Sequence, residues 1–92
     1  MYAYNSEDKF AAAGPAAAAV LQHRATNPEI KDGPWDFDRG TVSKDGRSSA
    51  WGEFSHVALA SGVGRDVLSI VVLDDGAGGW DVTHTVTRTG KA

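Results

Sequence analysis

The sequence predicts a small α+β domain in which a broken N-terminal helix packs on a four-stranded antiparallel meander sheet. The N-terminal third favours helix, because it reads SEDKFAAAGPAAAAVLQHRA from Ser6 to Ala25. The remainder alternates strand-like runs with short turns rich in glycine, aspartate and serine. Helices followed by a run of strands indicate an α+β fold rather than parallel βαβ units.

The helical segment is predicted in two pieces, over residues 7–13 and 15–25. Gly14-Pro15 separates them, because proline has no backbone N–H and clashes with the preceding turn. Proline is nevertheless well suited to the first position of the second piece. The first four residues are either a short added strand or a disordered lead.

Four strands are predicted at residues 35–42, 49–60, 65–73 and 80–88, with turns at 43–46, 61–64 and 74–79. The third strand is apolar on both faces, which predicts a central strand covered on both sides. One of its faces carries Val67, Ser69, Val71 and Leu73, and the other carries Leu68, Ile70 and Val72. The fourth strand has the alternation of a half-buried strand, with Trp80, Val82, His84 and Val86 on its apolar face.

Composition excludes several classes of protein. With 92 residues the chain is long enough for one domain, 1–92, and it has no cysteine for a disulfide or a thiolate metal site. The formal net charge is −3 and no basic stripe is present, which argues against a nucleic-acid partner. The longest uncharged run, residues 10–22, is too short to span a membrane, and no signal peptide precedes it. We therefore expect a cytoplasmic protein without a membrane partner.

The order of elements resembles the cystatin-like superfamily, in particular its small bacterial nuclear-transport-factor-like and polyketide-cyclase-like members. The features that carry the resemblance are the broken N-terminal helix, the strand that begins at Trp35, the two hairpins and the closing strand Gly-Gly-Trp-Asp-Val at residues 78–82. The resemblance implies a sheet on which a helix packs, and in cyclase-like members a third helix that closes a pocket.

The candidate catalytic residues are His84 and Asp36. His84 interrupts an apolar strand face, and histidine is the side chain best able to exchange a proton near neutral pH. Asp36 would orient it. His56 lies on another strand and could meet His84 across the sheet, to share a proton or bind a metal. Two histidines without a third ligand make a poor zinc site, so no metal and no cofactor are predicted. His23 is interpreted as a residue near the C-terminal end of a helix, where the dipole favours its charged form.

The aromatic content is high for so short a chain, and one small helix cannot cover all of it. Side chains left uncovered on a sheet commonly form an interface or a ligand cleft. The candidate residues for binding a ligand or partner are Trp35, Phe37, Trp51, Phe54, His56 and Trp80.

Two functions fit these observations. The favoured one is a non-catalytic interaction module that binds a second copy, as a homodimer, or another protein through the open face of its sheet. The alternative is a small cyclase- or isomerase-like enzyme, or a small-molecule binder, with an apolar pocket floored by His84. The first is preferred because the chain is short and lacks the additional helix that would close a pocket.

Overall fold

The computed structural model describes residues 1–30, 34–57 and 65–89. These residues form two helices, a short 3₁₀ turn and one five-stranded antiparallel sheet in the order β1-β2-β3-β4-β5. The helical elements are α1 (Glu7–Ala11), α2 (Pro15–Thr26) and the 3₁₀ turn (Pro28–Ile30). The strands are β1 (Tyr2–Tyr4), β2 (Asp36–Val42), β3 (Ser49–Val57), β4 (Arg65–Asp74) and β5 (Trp80–Thr89).

The α+β class and the meander connectivity are confirmed, and the number of strands is corrected from four to five. The N-terminal residues form the additional strand, because Tyr2, Ala3 and Tyr4 pair with Val42, Thr41 and Gly40. The break in the helix lies where Gly14-Pro15 predicts it. The turn predicted at residues 61–64 and the end of the strand predicted to reach Ala60 lie outside the described residues.

The helices cover one face of the sheet, which we call the helix face. α2 lies across β3 and β4. Its small side chains Ala16 and Ala17 are fully buried, so the helix axis can approach the sheet closely. The core lies between the two layers and consists of Phe10, Ala16, Ala17, Val20, Ile30, Trp35, Val42, Ala50, Phe54, Leu68, Ile70 and Val72.

Two glycines in the middle of the sheet make room for the helices. Gly40 and Gly52 are paired across β2 and β3. A Cβ atom built on Gly40 would lie 2.5 Å from the ring of Phe10, and one built on Gly52 would lie 2.8 Å from a methyl group of Val20. Glycine inside a strand commonly marks such a close approach. The glycine pair therefore forms a hollow into which one side chain from each helix fits.

The prediction that residues 65–73 form a central strand is confirmed in that β4 is an interior strand paired on both sides, but the prediction that both of its faces are covered is wrong. β3 is the middle strand, and β4 is next to the edge strand β5. Leu68, Ile70 and Val72 are buried beneath the helices, whereas Val71 and Leu73 on the other face are 36% and 50% exposed. Within residues 1–30, 34–57 and 65–89 the helices lie on one side of the sheet only, so the second apolar face of β4 is partly exposed.

Candidate functional site

His84 lies near the middle of β5 on the helix face, as the alternation of that strand predicts. Its Nδ1 atom is 2.9 Å from Nε2 of His23 on α2, and its Nε2 atom is 3.9 Å from a carboxylate oxygen of Glu29. The side chain of His84 is 19% exposed. The residue that interrupts the apolar row is thus held between a helix and a 3₁₀ turn.

The direction of the hydrogen bonds at this site follows from Asn27. The backbone N–H of Glu29 donates to Oδ1 of Asn27 at 2.8 Å, so the amide nitrogen of Asn27 is the atom that faces Nε2 of His23, at 3.3 Å. An amide nitrogen can only donate, so Nε2 of His23 is an acceptor. Nδ1 of His84 must then carry the proton that it shares with His23.

This arrangement keeps His23 neutral. Protonation of its Nε2 would remove the acceptor for both Asn27 and His84. The pKa of His23 is lowered chiefly by burial and further by the nearby His84, while the carboxylate of Glu29 acts in the opposite direction. His23 thus lies near the C-terminal end of a helix, as predicted, but the prediction that its charged form is favoured is wrong, because the ring packs inward against β5.

The partners expected for His84 are elsewhere. Asp36 is exposed on β2, and the β2 and β5 strands are three strand spacings apart, which is roughly 14 Å before any offset along the strands is added. His56 lies on β3, where its ring packs edge-on against Trp35 with the centroids 4.4 Å apart, and its Nε2 atom is 3.6 Å from the buried Asp66. The structure therefore joins His84 to His23 and not to Asp36 or His56.

Most of the predicted binding aromatics lie in or against the core. Trp35 and Phe54 are buried, and the ring of Phe37 packs between those of Phe10 and Phe54. Trp80 packs against the same core from the start of β5. The expectation that these side chains line an open sheet face is corrected accordingly. They fill the layer beneath the helices because their positions in the strands alternate onto the helix face.

Trp51 is the exception, because it lies on the opposite face of the sheet, which we call the open face. It is paired with Val71, and Leu73 lies two residues further along β4. The guanidinium of Arg39 lies 5.8 Å from the centroid of the Trp51 ring and is also 3.3 Å from Glu53. The four β5 side chains on this face, Asp81, Thr83, Thr85 and Thr87, are all exposed. The open face thus has an apolar centre with polar and paired charged side chains around it.

A second polar cluster fixes the helices to each other. Arg24 on α2 makes two hydrogen bonds to the carboxylate of Glu7, at 2.8 and 2.9 Å, and a longer one to the carbonyl of Trp35. Its guanidinium also lies 4.9 Å from the ring centroid of Phe54. The hydrogen bond from Arg24 lowers the pKa of Glu7. The cluster is explained by its role in holding α1, α2 and the start of β2 together.

The described residues offer little to hold a metal or a small molecule at His84. No group of three or more histidine, cysteine, aspartate or glutamate side chains within residues 1–30, 34–57 and 65–89 is arranged to bind a metal ion. A cleft of about 620 Å³ lies between the end of α2 and Trp35, and one of about 210 Å³ lies between Pro15 and Trp80. His84 lines neither of these clefts.

Among the described helices, none has the length and apolar character needed to cross a membrane. The chain matches no protein-family model, no curated protein and no solved structure. The resemblance to the cystatin-like superfamily therefore stays a prediction.

Proposed function

We propose that the protein is a non-catalytic interaction module that binds another protein through the open face of its sheet. The observation that carries this proposal is the exposure of Val71 and Leu73, at 36% and 50%, beside Trp51 on a face that no described helix covers. Apolar side chains exposed together commonly mark a protein-binding surface.

The surroundings of this patch support a protein partner. An aromatic and aliphatic centre with a polar rim is the usual composition of a protein–protein interface. Here the rim contains the Arg39–Glu53 ion pair on one side and the threonines of β5 on the other. The backbone of these side chains is held in the sheet, so binding would not have to order a loop.

The arrangement of His84 favours this function over the enzymatic alternative. A general base needs access to substrate, whereas Nδ1 of His84 is engaged with His23 and the ring is mostly buried. The carboxylate proposed to orient it, Asp36, lies on a different strand and on the opposite face.

Site-specific photo-crosslinking in the source cells tests the proposal. Trp51 is replaced by a benzophenone-bearing phenylalanine, and Gln22 on the exposed side of α2 is replaced in the same way as the matched control. We expect one discrete adduct from position 51, none at the same mass from position 22, and loss of the adduct in Leu73→Glu. Identical adducts from both positions, or none from position 51, would overturn the proposal. An adduct of twice the chain mass would identify the partner as a second copy.

A further inference from the structure

The outer edge of β5 is long and regular. β5 is the last strand of the sheet and pairs with β4 over ten consecutive residue pairs without a bulge. At the other edge, β1 has only three residues. Among the described residues, no strand pairs with the outer edge of β5. An edge of this length presents a row of backbone donors and acceptors to a further strand.

The middle of β5 lacks the features by which proteins usually protect such an edge, and the charged residues Asp81 and Arg88 lie near the two ends of the strand. Natural edge strands carry proline, lysine, a bulge or an inward-pointing charge. Between residues 82 and 87 the chain reads VTHTVT, which contains no proline, lysine or acidic residue. The β-branched residues valine and threonine that dominate this run also favour strand pairing. The edge is therefore suited to pairing rather than protected from it.

The hydrogen bonds of the preceding turn show which backbone groups of β5 point outward. Asp75 N–H donates to the carbonyl of Gly79, and Asp74 N–H donates across to Ser48 on the other side of β4. Because bonded and non-bonded pairs alternate in an antiparallel ladder, Trp80, opposite Asp74, directs its N–H and C=O away from β4. By the same alternation, the outward-pointing residues that follow are Val82, His84 and Val86.

The sequence of this edge is symmetric about one of those outward-pointing residues. Residues 82–86 read Val-Thr-His-Thr-Val in either direction, with His84 at the centre. In a two-fold symmetric antiparallel pair centred on residue 84, residue 84 faces residue 84 of the second copy. Residue 83 then faces residue 85 of the second copy, and residue 82 faces residue 86. Because the sequence is symmetric about His84, valine faces valine, threonine faces threonine and histidine faces histidine in this pair.

We infer that a second copy of the chain pairs with β5, strand to strand and antiparallel, about a two-fold axis at His84. Val82 then faces Val86 of the second copy, and their outward N–H and C=O groups bond to each other. Thr83 faces Thr85 of the second copy on the open face, in a non-hydrogen-bonded pair, where side chains approach most closely. Threonine pairs across strands are favourable. Val86, which is 43% exposed, gains an apolar neighbour.

The helices leave room for this pairing. The middle of α2 lies across β3 and β4, so the middles of the two copies of α2 would stand about four strand spacings apart, or roughly 19 Å. Packed helices approach to about 8–10 Å, so these parts of the two helices do not collide. The C-terminal end of each α2 reaches closer to the axis, where His23 contacts His84 of its own chain. At the axis His84 faces His84 of the second copy.

The product is a ten-stranded sheet with both helical layers on one side and both open faces on the other. A two-fold axis perpendicular to the sheet places the two Trp51-centred patches on the same surface. This inference goes beyond the proposed function and stands whether or not the open face binds another protein.

Disulfide trapping tests the register directly, because the chain has no cysteine of its own. Thr83→Cys and Thr85→Cys chains are mixed under mild oxidation. Positions 83 and 85 of different copies have Cα atoms about 4.5 Å apart in the inferred pair, whereas two copies of position 83 are more than 7 Å apart. A disulfide needs less than about 7 Å. We expect the mixed disulfide to dominate. Homodisulfides that form as readily in each variant alone would overturn the register.

Charge pairs at the same positions provide the second measurement. Thr83 and Thr85 are exposed, so substitution leaves the core intact. Thr83→Lys with Thr85→Glu places opposite charges face to face between copies, and Thr83→Lys with Thr85→Lys places like charges there. We expect sedimentation of the wild type and the first variant to show a species of twice 9.7 kDa, and the second variant to dissociate about tenfold more readily. A wild type that remains monomeric, or forms only larger assemblies, would overturn the inference. Equal dissociation of the two variants would do the same.

Failure of this inference and failure of the proposed function are distinguishable. The photo-crosslinker at position 51 lies two strands from the edge and reports on the open face alone. The disulfide and the charge pairs report on contact between copies at β5.

Discussion

Nε2 of His23 lies 2.9 Å from Nδ1 of His84 and so joins helix α2 to the edge strand β5. The two residues are 61 positions apart in the chain. Asn27 fixes the direction of the bond, because its amide nitrogen also donates to His23. The hydrogen bond between the two rings thus ties the C-terminal end of α2 to the edge strand β5.

We expect stability to fall as the solution is made mildly acidic. The pKa of His23 is lowered in the folded protein, chiefly by burial. In the unfolded chain the residue takes up a proton near its ordinary pKa of about 6.5, while the folded protein resists protonation. The unfolded state then binds more protons, so the free energy of unfolding decreases as the pH falls from about 7 towards the lowered pKa of the folded state.

Urea unfolding of the wild type and of His23→Gln between pH 5 and 8 measures this effect. Glutamine cannot titrate but retains a side-chain oxygen as an acceptor. The variant should show a flatter dependence of unfolding free energy on pH over this window. Parallel curves for the two proteins would show that His23 does not contribute the expected linkage.

We expect replacement of His84 to cost stability. His84→Ala removes a hydrogen-bond donor to His23 and the packing of a mostly buried ring, for a loss of about 1–2 kcal/mol. Gln22→Ala, at an exposed position of α2 outside the β5 edge, is the matched control and should change stability by less than about 0.5 kcal/mol. Thermal melts of the two variants compare them, and a His84→Ala protein that melts like the control would contradict a structural role.

Local sequence patterns predicted the helices and strands, whereas the contacts of the candidate site depend on long-range packing. The alternation of β5 placed His84 on the helix face, and Gly14-Pro15 placed the break in the helix. The contact with His23 could not be read from the sequence, because it depends on where α2 crosses the sheet. For the same reason, the sequence could not show that Trp51 lies on the open face. Alternation shows that Trp51 and Phe54 lie on opposite faces, but only the position of the helices shows which face is covered.

We expect neighbouring residues of β4 to differ sharply in their tolerance of a charge. Ile70 is fully buried, so Ile70→Asp places an unpaired carboxylate in the core and should cost several kcal/mol, enough to unfold a domain whose total stability is about 5–15 kcal/mol. Val71 is on the open face and 36% exposed, so Val71→Asp should leave a folded protein. Circular dichroism melts distinguish the two variants. A cooperative Ile70→Asp melt near the wild-type temperature would contradict the assigned faces of β4.

The final prediction concerns the hollow formed by the two glycines. We expect substitutions at Gly52 on the sheet and at Val20 on α2 to have non-additive effects on stability. Gly52→Ala adds a methyl group 2.8 Å from Val20 and 3.1 Å from the ring of Phe54, both closer than ordinary van der Waals contact, so we expect a loss of about 1–3 kcal/mol from overpacking. Val20→Ala alone should also destabilise the protein, because Val20 is fully buried and its removal leaves a cavity.

The double variant should be less destabilised than the sum of the two single variants, because the methyl group lost from residue 20 is the one that the new methyl group at residue 52 meets. Gly40→Ala supplies the matched control, since its added methyl group would meet Phe10 and the carbonyl of Trp51 instead. Combined with Val20→Ala, it should give a nearly additive loss. Equal coupling at both glycines, measured by chemical denaturation, would contradict the assignment of one helix side chain to each glycine.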